Sequence, residues 1–179
     1  MSAAMADTRL QGLPPQADAD CRVLVLGSMP GAASLAAARY YAHPRNRFWP
    51  LMAVLCGVDA GLDYPLRLAA LRAAGVGLWD VIGTCERRGS LDADIVRGSE
   101  TANPLADWLA GRPGVHALAL NGGKAAEAFR RHVAPTLPVA LAERLVLHAL
   151  PSTSPANAAF GLERLAREWS VLIPHLDRP

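Results

Sequence analysis

Apolar and polar positions fall into blocks along this chain: short aliphatic runs at residues 22–27, 76–82, 115–120 and 144–149, separated by stretches long enough to hold helices. Each run reads as a buried strand, and strands alternating with helical stretches predict a parallel sheet. Between the first two runs, the apolar segment 48–55 and then 65–74 predict helices; Leu66, Leu68, Ala69 and Leu71 share a face, and Pro65 suits a first turn. Asn103-Pro104 starts a short helix through Trp108 and Leu109, and Gly122-Gly123 opens another through Ala126, Phe129 and Val133. Near the carboxyl end, Leu162, Leu165, Ala166, Trp169, Leu172 and Ile173 recur at helical spacing with Glu163, Arg164, Arg167 and Glu168 opposite. That is the pattern of a helix docked on a sheet. Segment 83–99 lacks a clear period and reads as an exposed loop. The expected fold is α/β, a three-layer α/β/α sandwich around a four-stranded parallel sheet. It forms a single domain over 21–179 after a flexible leader at 1–20.

A length of 179 residues is about one domain's worth. The net charge of +2 is too small to mark a nucleic-acid binder by itself. Lys124 is the only lysine, so guanidinium groups, which suit phosphate, carry nearly all the positive charge. Cys21, Cys56 and Cys85 are odd in number, far apart and without a C-x-x-C pair. This argues against a disulfide framework, a zinc site or a four-cysteine iron-sulfur cluster and fits a reducing, cytoplasmic compartment. Residues 1–20 lack the apolar stretch of a signal peptide, and no run is long and apolar enough to span a bilayer. The expectation is a monomer with no membrane partner and no metal.

Two strands finish in loops with unusual content. After 22–27 comes Gly27-Ser28-Met29-Pro30-Gly31, then Tyr40, Tyr41, His43, Asn46, Phe48 and Trp49, which offer flat faces for stacking a planar ring and polar groups to orient it. Arg39, Arg45 and Arg47 lie in the same stretch. After 144–149 comes Leu150-Pro-Ser152-Thr153-Ser154-Pro-Ala-Asn157. Loops following parallel strands gather at one edge of the sheet, so the two could share a pocket. The second also suits a capping turn before the last helix.

Taken together, G-S-M-P-G at 27–31, Y-Y-A-H-P-R-N-R-F-W at 40–49, G-L-W-D-V-I at 77–82 and L-P-S-T-S-P-A-N at 150–157 resemble the uracil-DNA glycosylase superfamily. The combination is most similar to its hypoxanthine-DNA (deoxyinosine) glycosylase branch. The A-H-P-x-N-R-F-W string is shared with mismatch-specific uracil glycosylases. The resemblance implies a monofunctional DNA glycosylase that flips a deaminated base, hypoxanthine in particular, out of DNA and hydrolyses its N-glycosidic bond. No cofactor is implied, and DNA containing deaminated bases is the partner. The competing expectations are a mismatch-specific uracil glycosylase and a catalytically silent module that binds damaged DNA.

The same resemblance implies roles for single residues. Relatives carry a water-positioning Asp or Asn where this chain has Met29, and a thioether cannot orient water. The role then passes to Asn46, whose alternative is to cap the helix beginning near Arg47. Tyr41 stands where relatives stack an aromatic ring on the extruded base. Asn121 stands where an amide reads the base edge, its alternative being a strand-to-helix turn with Gly122-Gly123. Ser28 and Met29 complete the expected base pocket. Pro30, Gly31, Ser152, Thr153 and Ser154 are the expected DNA contacts. Leu150 replaces a histidine of uracil-excising relatives, which favours a neutral pocket that accepts a purine. His43 holds its loop or touches DNA, and Tyr40, Phe48 and Trp49 are core. No lysine in the motifs can form a Schiff base, so strand cleavage is not expected.

Overall fold

The computed structural model describes residues 9–176. Strands β2 (Val23–Gly27), β3 (Val76–Asp80), β6 (Ala117–Asn121) and β7 (Val146–Leu150) form one sheet in the order β3-β2-β6-β7, every neighbouring pair parallel. The predicted runs are thus the observed strands, shifted by a residue or two at their ends. β2 starts the sheet near its middle, with β3 on one side and β6 on the other. The β2/β6 boundary is therefore the point where the winding direction reverses and a crevice opens at the carboxyl edge.

Successive strand residues point to opposite faces, and the core divides accordingly. Val23, Val25, Leu78, Ala117 and Ala119 face a layer that includes Phe48, Leu51 and Met52 of α2 (Phe48–Cys56) and Leu68 and Leu71 of α3 (Tyr64–Ala73). Leu165 and Trp169 of α7 (Leu162–Trp169) complete that layer. Leu24, Leu26, Trp79, Leu118 and Leu120 face the other layer, with Leu105 and Leu109 of α4 (Leu105–Ala110) and Ala128 of α5 (Gly123–Ala128), followed by Phe129 and Val133 in a π turn. Two short helices, α1 (Ala32–Ala37) and α6 (Val139–Arg144), have no counterpart in the sequence expectation.

Two expectations need correction. Segment 83–99 is not simply an exposed loop: β4 (Ile82–Glu86) pairs antiparallel with β5 (Thr101–Ala102) and with β1 (Arg9–Gln11), making a second, three-stranded sheet. The run at 76–82 therefore splits, its last residue entering this second sheet. The flexible leader is corrected for its described part. Besides β1, Gln16 exchanges backbone hydrogen bonds with Leu78, covering the outer edge of β3, where an unpaired row of amides would otherwise lie open. The rest of that expectation, residues 1–8, lies outside the described residues.

Gly77 shows how tightly this segment is seated. A side chain there would begin 2.7 Å from Ala17 Cβ and 2.8 Å from Cys21 Sγ. We expect Gly77→Ala to lower the unfolding free energy by about 1–3 kcal/mol through overpacking. Urea denaturation measures it, and an unchanged midpoint would show that residues 16–21 give way freely.

Candidate active site

Four strand ends define the carboxyl edge: Gly27 beside Asp80, and Asn121 beside Leu150, as register partners. The loops after β2 and β7 meet directly above it. Asn121 carries the junction. Its Nδ2 donates to the Tyr41 hydroxyl at 3.2 Å and to Thr153 Oγ1 at 3.1 Å, while its Oδ1 accepts the Thr153 amide at 3.0 Å. Gly122 then turns the chain at φ 99°, where a Cβ would sit 3.0 Å from that of Ser152, so both conformation and space call for glycine.

Arg47 ties the loops a second time. Its backbone amide donates to Thr153 O at 3.0 Å. Its guanidinium donates to Ser154 O at 2.6 Å, Asn157 O at 2.9 Å and also Phe160 O. Three loop carbonyls thereby share one planar, permanently charged donor, Ser154 O and Asn157 O each also accepting a backbone amide. The two loops thus meet at one edge of the sheet.

Tyr41 sits at φ 55°, a left-handed conformation costing about 1 kcal/mol for a residue with a Cβ. Its ring stacks on Phe48 with centroids 4.0 Å apart and planes at 21°, so at most one face remains for a ligand. Burial keeps its hydroxyl protonated well beyond the usual tyrosine range. Asn46 accepts the Phe48 amide on Oδ1 at 3.0 Å, an Asx turn just ahead of α2, whose N-cap residue is Arg47. The turn occupies one lone pair and fixes the side chain; the second lone pair and the NH2 group stay outside this bond. Tyr41, His43 and Asn46 all line a cavity of about 340 Å³ between this loop and the start of α2. His43 Nδ1 accepts the Arg45 amide at 3.1 Å, holding the loop as a structural histidine does.

Several expected contacts are spent internally. Ser28 donates its hydroxyl to Asp92 Oδ1 at 2.6 Å, which engages it away from a base. Met29 is 6 % exposed and its thioether joins the apolar cluster with Val81, Ile82 and Cys85, so no side chain of position 29 reaches a ligand. Both amide hydrogens of Asn121 are engaged within the protein, where the side chain acts as a strut between the loops. Thr153, 1 % exposed, is a pillar for Asn121, and its hydroxyl cannot meet a phosphate. Pro30 is buried, its carbonyl accepting Arg87 Nη2 at 2.7 Å, while Gly31 precedes α1. Ser152 and Ser154 remain half-buried at the rim, each hydroxyl accepting an amide two residues on. Leu150 is buried, leaving no imidazole at that strand end.

Three functional candidates escape the sequence reading. Asp80, 4 % exposed, leaves Oδ2 without a partner among the described residues, and its Oδ1 lies over Gly27, where an added Cβ would stand 2.4 Å from it. Burial, reinforced by Asp92, pushes the Asp80 carboxyl up to about 8. Asp92 is also raised by burial, partly offset by Ser28 and Arg87. Arg87 is buried with Nε and Nη1 unpartnered. A carboxylate interrupting the apolar run G-L-W-D-V-I was the available signal for Asp80, because burying a charge is costly. Asp92 and Arg87 lie in the segment without a period and gave none. Among the described residues no group of three or more His, Cys, Asp or Glu is arranged to hold a metal ion, and no helix is long and apolar enough to cross a membrane.

With this geometry in view, comparison with known proteins is informative. The family described as Uracil DNA glycosylase superfamily matches residues 14–172. A Methanosarcina acetivorans protein named hypoxanthine DNA glycosylase is 32 % identical over 166 residues, spanning 92 % of this chain and 98 % of its own length. A Methanosarcina barkeri protein of the same name is 36 % identical over 118 residues, 65 % of this chain and 73 % of its own. The solution NMR structure of a candidate uracil DNA glycosylase from Methanosarcina acetivorans superposes with a TM-score of 0.76 at 29 % identity, covering 93 % of this chain and 98 % of that one.

Replacing Arg47 by Met should lower the unfolding free energy by about 1–3 kcal/mol by removing the charged hydrogen bonds to the second loop. Faster hydrogen exchange at the Thr153 amide is the local readout. Unchanged exchange there would show that Asn121 alone holds the loops.

Proposed function

This chain belongs to the uracil DNA glycosylase superfamily and is a DNA glycosylase acting on deaminated bases; we propose that hypoxanthine is its preferred base and that Asn46 and Tyr41 perform the catalytic and stacking work. The observation that carries this reading is the meeting of the two loops at the sheet's switch point, with Tyr41 and Asn46 lining one cavity and Leu150 in place of an imidazole. The names of the Methanosarcina relatives support the same base.

In this reading the damaged nucleotide leaves the stack, at a cost of a few kcal/mol that is least for a weakly paired base, and the base enters the cleft. The free face of Tyr41 receives it, a contact worth about 1–3 kcal/mol. As the bond from C1′ to the base stretches, positive charge grows on the sugar. A water held by Asn46 attacks C1′, and free base and an abasic site result. The bond to the Phe48 amide keeps the Asn46 side chain in place before substrate arrives, so little reorganisation remains for the reaction itself. Ser152 and Ser154, with the Gly31 backbone amide, contact the phosphates flanking the lesion. Arg39 and Arg45, both exposed, supply positive charge near that rim.

Hydrolysis proceeds without a Schiff base: Lys124, the only lysine, is 2.9 Å from Glu100 Oε1 in an ion pair. The unpaired Cys21, Cys56 and Cys85 support a reducing, cytoplasmic compartment, and a monomer is the acting species in this reading.

Single-turnover reactions on duplexes carrying inosine, uracil, xanthine or mismatched thymine test the proposal. We expect inosine to be cut fastest and Asn46→Ala to reduce that rate at least tenfold, about 1.4 kcal/mol in the barrier. Faster release of uracil would instead support a mismatch-type uracil enzyme. Lesion-selective binding without product would support a silent binding module. Tyr41→Ala should weaken binding of the inosine duplex, and unchanged affinity and rate would discard its stacking role.

A further inference from the structure

We propose that Asp80 is the general acid of this site, passing a proton to a ring nitrogen of the departing purine. The inference rests on the glycosylase reading above and adds to it a group that neither sequence motif nor comparison assigns.

The placement is geometric. Asp80 ends β3 at the carboxyl edge, register partner of Gly27 in the adjacent strand. A single point, the position of a missing Cβ on Gly27, lies 2.4 Å from Asp80 Oδ1 and 3.6 Å from the Tyr41 hydroxyl. The Asp80 carboxyl therefore fills the space over Gly27 that a side chain would need, and it lies beside the Tyr41 hydroxyl. A base stacked on Tyr41 has this carboxyl near its edge. The opposite oxygen, Oδ2, is buried without a hydrogen-bond partner among the described residues. Its backbone oxygen is used separately, accepting Asn103 Nδ2 at 2.8 Å. A structural carboxylate in such a place would be expected to have donors on both oxygens. Here no donor meets Oδ2 among the described residues, so the neutral acid is the form the surroundings favour.

The groups acting on Asp80 electrostatically agree. Tyr40 and Tyr41, from the loop after β2, carry no positive charge, and Asp92, from the turn packed on Ser28, is a further acid. The cations of this region, Arg87 and Lys124, act on Asp92. With the carboxyl near 8, Asp80 is mostly protonated at neutral pH and becomes ionised as pH rises through that value.

The chemistry balances. The bond from C1′ to the purine breaks with its electron pair going to the base, and the Asp80 proton moves to the base's ring nitrogen. Water then adds to C1′, and the proton it releases restores the Asp80 carboxyl. Nothing is oxidised or reduced.

The test is the pH dependence of single-turnover hypoxanthine release from an inosine duplex by wild type and Asp80→Asn. The amide keeps the shape of the carboxyl but has no proton to transfer. Wild type should hold a plateau below about pH 8 and fall roughly tenfold per pH unit above it. Asp80→Asn should lie at least tenfold lower on the plateau, lack that descending limb and bind the duplex as wild type does. Its melting temperature should equal or exceed that of wild type, most clearly at alkaline pH, because the folded protein no longer has to bury an ionised carboxylate. Equal plateaus with the same limb in both proteins would overturn the role of Asp80 while leaving the glycosylase reading intact. Absence of hypoxanthine release by wild type would overturn both. Carboxyl carbon NMR of the wild type is independent of the variant's folding: Asp80 titrating in the ordinary carboxylate range would also end the proposal.

Discussion

The site depends on the Asn121 side chain, which stands at the end of a central strand and bonds the loops on either side of it. One amide satisfies Tyr41, the Thr153 hydroxyl and the Thr153 backbone at once. Short loops of this kind bury little apolar surface, so their position is set by where their polar groups find partners. Arg47 repeats the logic from the first loop toward the second by collecting carbonyls at Ser154, Asn157 and Phe160. Together they turn two sequence-distant loops into one rigid wall. A glycosylase that relies on neutral amides and oriented dipoles needs that rigidity, since groups that must move into place contribute less to stabilising a transition state.

The same edge gathers features that would not survive selection for stability alone. Tyr41 adopts a positive φ, Asp80 carries an unpartnered buried oxygen, and Gly27 has no side chain. Each is tolerated because the sheet below is fully buried over β2, β3 and β6 and the apolar clusters on both its faces are extensive. Concentrated local strain over a well-packed base is how functional sites are usually accommodated.

Two apolar residues, Met29 and Leu150, stand where the resemblance to the superfamily implies polar groups. Both are buried, and neither faces the cleft with a reactive atom. In the proposed reading the polar work falls to neighbours, Asn46 on the first loop and Asp80 on the adjacent strand. The segment at 87–95 supports this arrangement from behind, since Asp92 holds Ser28, Ser90 accepts the Ala32 amide and Arg87 holds Pro30. It acts as a brace for the first loop rather than as the free loop its lack of periodicity implied.

What the amino-acid order determined by itself is whatever depends on near neighbours: the four aliphatic runs, the helical spacing of Leu165 and Trp169, and the Gly/Pro turns that end strands. Because strands joined by helices must run parallel, local pattern also placed both loops at one edge. The Asn46 turn obeys the same local rule, its partner Phe48 being two residues away. The docking of residues 9–16, the small antiparallel sheet, and the duties of Ser28, Asn121, Thr153 and Asp80 were decided only in three dimensions. Each of those depends on a group far along the chain, such as Asp92 for Ser28 or Tyr41 for Asn121. A hydrogen bond has a reach of about 3 Å, and no residue type announces which distant partner the fold will bring within it.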